Sequence, residues 1–254
     1  MNGLWLFCRK KLENYSLFFL LALLAEILGT VSGFGSSVLF VPIASYFFDF
    51  KTVLGITAIF HVFSNLSKIV LFRKGVNRRI AFIMGVPAIL FVVLGALLTQ
   101  LLPAHQLELG LSFMLIILSI FMMVQFEKPM QPTSRNLFWG GSVSGFIAGV
   151  IGTGGAIRGI TLAAFQLPKD VFISTSAIID LGVDLSRAVV YTASGYFTRS
   201  EIIFIPVLLA ISVIGSYLGK TILKRTSERQ FRWMVLGVIL LTSIFQIVKS
   251  FRGD

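Results

Sequence analysis

AIFHVFSNLSKIVLF, Ala58 to Phe72, returns as AIIDLGVDLSRAVVY, Ala177 to Tyr191. The move from position 58 to position 177 is a shift of 119, and at that shift Asn65 aligns with Asp184, Ser67 with Ser186 and Lys68 with Arg187. Apolar residues match easily by chance in a chain this hydrophobic, but polar residues matching at three offsets do not. The same shift lays GFGSSVLF, Gly33 to Phe40, on GTGGAIRG, Gly152 to Gly159, so a glycine-rich break falls at the same place in both copies. GALL from Gly95 finds GSYL from Gly215, and SIF from Ser119 finds SIF from Ser243, at slightly larger shifts. The chain therefore reads as a duplication, with one copy in residues 1–127 and the other in 128–254.

Composition sets the solvent. With 254 residues, 56% hydrophobic, 13% charged and a mean hydropathy of +0.90, the chain has too little polar surface for a soluble globule. Apolar stretches at 15–33, 35–48, 52–72, 80–102 and 106–126 are followed by a second series at 137–151, 155–167, 170–192, 201–223 and 230–250. Three in each copy reach the roughly 20 residues needed to span a bilayer. The pair 137–151 and 155–167 is too short for that and meets at Gly152-Thr153-Gly154-Gly155, which predicts half-helices joined at a break. The formal charge of +11 does not point to nucleic acid, because the basic residues sit in short clusters between apolar runs, as the positive-inside rule describes. Cys8 stands alone, so neither an intramolecular disulfide nor a paired-cysteine metal site is expected, and no cofactor or metal is implied. Arg9-Lys10-Lys11 and the apolar run after them look like a signal peptide. No small-residue cleavage site follows and Glu26 interrupts the run, so a retained first segment is expected.

Loop charge gives the relative sense of the copies. The connection after 52–72 carries Arg73, Lys74, Arg78 and Arg79, whereas its counterpart at 193–200 has only Arg199. The next loop reverses this, since 101–106 has no Lys or Arg while 220–232 carries Lys220, Lys224, Arg225, Arg229 and Arg232. Opposite bias in equivalent loops means that equivalent helices cross in opposite directions. The expected fold is an all-α polytopic membrane protein of two inverted-topology repeats, each a glycine-broken half-helix pair followed by three long transmembrane helices. The linker 127–135 then joins the copies on the cytoplasmic side, with Arg9 to Lys11 voting against that orientation.

Repeats of this kind with broken helices are the build of secondary transporters, whose sites lie near the midplane. Helix starts at Gly35-Ser36-Ser37 and Gly154-Gly155-Ala156 would offer unpaired N–H groups and a positive dipole end to a small anionic substrate. Gly29, Gly33, Gly145 and Gly149 fit close helix packing instead. Asp180, Asp184 and Arg187 share one helix face, as do His61, Asn65 and Lys68, and both faces should look inward because charge in hydrocarbon costs at least about 2.5 kcal/mol. Asp184 is a proton-coupling residue or simply pairs with Arg187. Asp180 suits a group that takes up and releases protons. Lys68 and Arg187 either snorkel to the interface or form matched cationic contacts around the substrate. Arg158, three residues past Gly155, suits bidentate binding of an oxyanion or is neutralised by Asp180. Glu26 is a second proton site or a partner for Lys68, and His61 is a packing residue or a further proton site.

GFIAGVIGTGGAIRGITL, Gly145 to Leu162, and more loosely GTVSGFGSSVLFVP, Gly29 to Pro42, resemble the sulfite exporter TauE/SafE family of membrane permeases over nearly the whole chain. In the first copy the family's glycine triplet is replaced by Gly35-Ser36-Ser37, and in the second Ala156 holds the third place. The resemblance implies a multi-pass permease of the cytoplasmic (inner) membrane that carries sulfite, sulfonates or related anions, with protons as the coupling partner. It specifies no oligomeric state. An intramembrane enzyme fits poorly, because two histidines, one cysteine and the absence of HExxH or GxSxG leave no catalytic constellation. An anion channel through the same pathway is the nearer alternative, and a purely structural membrane subunit a more distant one.

Overall fold

The computed structural model describes residues 15–33, 35–73, 75–124, 131, 133–197, 201–225 and 227. Cys8, Arg9 to Lys11, most of the 127–135 linker, Arg199, Arg229, Arg232 and the 230–250 stretch lie outside the described residues.

Among the described residues the regular structure is helical: α1 (Ser16–Ser32), α2 (Ser37–Ala44), α3 (Phe50–Leu71), α4 (Arg78–Leu98), α5 (Ala104–Val124), α6 (Ser134–Ile151), α7 (Gly155–Ala163), α8 (Lys169–Ala193), a 3₁₀ turn at Ile202–Phe204, and α9 (Ile205–Leu223). Side-chain caps start three of them: Asp49 accepts from the Thr52 N–H at 3.1 Å, Asn77 from Ile80 at 3.1 Å and Thr133 from Asn136 at 3.2 Å. Both breaks end their first helix in the same way. Gly33 closes α1 at φ 66° and Gly152 closes α6 at φ 79°, a left-handed conformation that glycine adopts without strain.

Among the described residues, three helices are long and apolar enough to cross a membrane: Phe50–Leu71, Arg78–Leu98 and Ile202–Leu223. α8 is longer still at 25 residues. It lacks the composition of a lipid-facing span because Asp180, Asp184 and Arg187 lie on it, all three buried against protein. On α4 the opposite pattern holds, with Phe82, Val86, Leu90 and Leu94 on one face, 42–71% exposed. A continuous apolar stripe of that kind suits the hydrocarbon of a bilayer.

α4 and α6 pack in parallel at very close range. A Cβ on Gly141, Gly145 or Gly149 would strike the carbonyl oxygen of Met84, Ala88 or Val92 respectively, each pair advancing four residues on both helices. The small-residue stripe of α6 is thus the seat of α4, as small-xxx-small packing predicts. Gly145→Val should therefore cost at least about 2 kcal/mol, since the obstructing atom is backbone and cannot turn aside. Thermal unfolding in detergent checks this, and a melting temperature equal to the parent's would refute the close-packing role. α1 and α9 also run parallel, Gly215 receiving Glu26 and Gly219 receiving Thr30.

Candidate functional site

α3 and α8 lie side by side and antiparallel at the centre. Asn77 after α3 donates its N–H to Thr175 near the start of α8 at 3.0 Å, Asn65 meets Asp184 in the middle, and Gly55 near the start of α3 touches Tyr196 beyond the end of α8. The two polar faces recognised in the sequence therefore confront each other. Lys68 and Arg187 turn inward; neither snorkels, both being about 95% or more buried.

Arg187 has every N–H engaged. Nε and Nη2 donate to Asp184 Oδ1, each at 2.7 Å, Nη1 to the carbonyls of Gly152 at 2.7 Å and Ala148 at 3.5 Å, and Nη2 also to His61 Nδ1 at 3.1 Å. Asp184 Oδ2 accepts from Asn65 Nδ2 at 2.7 Å. Of the two roles open to Asp184 and Arg187, the geometry realises the mutual pair, extended to the carbonyl at the second break.

Glu26, fully buried, is the hub of a second cluster. Its Oε1 accepts from Thr30 at 3.1 Å, Ser64 at 2.7 Å and Ser216 at 2.9 Å and pairs with Lys68 Nζ at 3.0 Å, while Oε2 accepts from Ser36 at 2.6 Å. Lys68 Nζ also donates to Ser64 Oγ at 2.7 Å. Glu26 is thus the partner of Lys68, the second of its two sequence readings. Ser64 was within reach of sequence reasoning, one turn before Lys68. Thr30, one turn after Glu26, was equally within reach, whereas Ser216, 190 positions away, carried no signal.

His61 joins the clusters. Arg187 has no acceptor, so His61 Nδ1 must accept from it; the ring proton then sits on Nε2 and is donated to Ser36 Oγ at 3.0 Å, and Ser36 donates to Glu26. The chain of donors runs one way, from Arg187 through His61 and Ser36 to Glu26.

Arg158 differs from the other two cations. Its Nη2 pairs with Asp180 Oδ1, whose second oxygen accepts from Ser176 at 3.1 Å, but Nε and Nη1 are buried with no hydrogen-bond partner. Buried donors are rarely left unmatched in a finished core. Arg158 borders a polar cavity of about 20 Å³, together with Ser36, Ser37, Gly154, Asn65, Lys68 and both aspartates, room for a water or so. The glycine breaks meet there, Thr153 donating to Ser37 at 3.2 Å. Gly154 is held close to α6, where a Cβ would strike the Ser144 carbonyl, while Gly155 is buried at the start of α7. Glu26 and Gly155 stand behind the cavity wall; the other residues named from the sequence line it.

Apolar helices presenting a lipid-facing stripe, around an internal pocket of charge, make the chain a multi-pass membrane transport protein. It belongs to the sulfite exporter TauE/SafE family, whose model matches residues 18–245. It is also similar to a probable membrane transporter protein of Methanocaldococcus jannaschii, 26% identical over 260 residues that cover 91% of this chain and 95% of the relative. No solved structure matches the chain.

Proposed function

We propose that the chain is a secondary transporter that carries a small anion, sulfite or an organosulfonate, across the cytoplasmic membrane by alternating access, with proton coupling. One observation carries the reading: a buried arginine with unmatched donors borders a polar cavity where two helix breaks meet. An oxyanion supplies acceptors for the N–H groups that Nε and Nη1 leave unmatched. The cavity's volume of about 20 Å³, room for a water or so, favours a carrier over an open pore.

The inverted repeat belongs to this reading. Asn65 and Asp184 are equivalent in the duplication and hydrogen-bond to each other, and a residue that touches its own equivalent lies on the symmetry axis. The antiparallel course of α3 and α8 supports an axis perpendicular to both, as an inverted repeat requires. The α1–α9 and α6–α4 pairings are equivalent under the same operation. The boundary between copies falls at 127/128.

Coupling follows from competition for Arg158. When the anion takes the guanidinium, Asp180 loses its counter-charge in a low-dielectric setting and binds a proton; release of the anion restores the ion pair and frees the proton. Anion and proton then travel together. In proteoliposomes, Asp180→Asn is expected to abolish the pH dependence of uptake while leaving the protein inserted, with sulfite, sulfoacetate, taurine and thiosulfate compared as substrates. Undiminished pH dependence would remove Asp180 from coupling. Absence of saturation and counterflow in the parent would replace the carrier with a channel.

A further inference from the structure

Hydroxyl groups from four helical segments converge on one carboxylate: Thr30 on α1, Ser36 at the start of α2, Ser64 on α3 and Ser216 on α9, all at most 1% exposed, surround Glu26. One carboxylate with neutral hydroxyl oxygens is a hard-oxygen donor set of a single negative charge, the chemistry that suits a monovalent cation of sodium size. In this chain the positive charge inside the set is Lys68 Nζ, 3.0 Å from Glu26 Oε1 and 2.7 Å from Ser64 Oγ. We infer that Glu26 and its hydroxyls form a monovalent cation site, and that the Lys68 ammonium occupies it as a tethered cation.

Three features go beyond an ordinary buried ion pair. Beyond the ion pair with Lys68, four hydroxyls are gathered on the one carboxylate, and Ser64 Oγ already accepts from the ammonium. Elements from both ends of the sequence contribute, α1 to α3 on one side and α9 on the other, so the charge in the set ties them together. Lys68 also borders two neighbouring cavities, the one beside Arg158 and a second lined by Gly29, Thr30 and Gly33, so an ion from either cavity meets the ammonium's position. The inference does not depend on the anion reading, because its test contains no transport step.

Purified Lys68→Ala protein in detergent is melted in choline, sodium, potassium or methylammonium chloride at equal ionic strength. Sodium or methylammonium should raise its melting temperature by about 3 °C or more above choline, saturably, while the parent melts alike in all four. Adding Ser64→Ala should remove the sodium gain. Equal melting of Lys68→Ala in every salt overturns the inference, as does a sodium-specific gain in the parent, which would mean that the ammonium leaves the site open. If Lys68→Ala aggregates, the fraction recovered as a folded peak by size exclusion in each salt is read instead, and equal recovery overturns it as well.

Discussion

Arg158→Lys should slow anion transport by roughly 100-fold or more while the protein inserts and folds as the parent does. Lysine keeps a positive charge beside Asp180, so the ion pair that stabilises the pocket has a substitute. What disappears is the set of N–H groups on Nε and Nη1, which have no protein partner. If two of these meet the anion, their loss removes two charge-assisted hydrogen bonds of about 1.5–3 kcal/mol each. At 1.4 kcal/mol per factor of ten, that is about 100-fold at the lower bound. Arg158→Ala is the poorer test, because it strands Asp180 and confounds binding with stability. Measured in proteoliposomes, an unchanged apparent affinity in Arg158→Lys would show that the arginine serves architecture alone.

The contrast among the three buried cations shows how far the sequence reaches. The two glycine breaks and the inward polar faces were legible, because helical periodicity carries them. Sequence reading left Arg158 between two roles and Lys68 and Arg187 between interface and interior. Those alternatives turn on which donors remain unmatched, a property of packing that no linear spacing encodes. Arg187 and Asp184 are three residues apart, so their pairing could be anticipated; the Gly152 carbonyl that takes Nη1, 35 positions away, could not. Likewise Glu26 invited pairing with Lys68, but Ser216 joins it only because Gly215 and Gly219 let α9 settle against α1. The expectation of three long apolar helices per copy met its limit at α8, whose inward charges are the reason it departs from a lipid-facing composition.

Arg187→Ala should be the most destabilising single substitution in the site, lowering stability by about 3–5 kcal/mol and the melting temperature by roughly 10 °C. The arginine is 2% exposed and holds four groups at once. Its removal leaves Asp184 with Asn65 as its remaining donor, strands the carbonyl of Gly152 at the second break and deprives His61 Nδ1 of its donor. The last loss spreads to the other cluster, because the fixed tautomer of His61 is what directs its proton toward Ser36 and so holds Ser36 as a donor to Glu26. Arg187→Lys is the informative companion, since lysine is the residue found at the equivalent position 68. Three protons on one nitrogen cannot span Asp184, His61 and the Gly152 carbonyl together, so lysine should recover less than half of the lost stability. Full recovery with lysine would mean that position 187 supplies charge alone, and that the one-way chain from Arg187 to Glu26 is a by-product of packing with no hold on the second break.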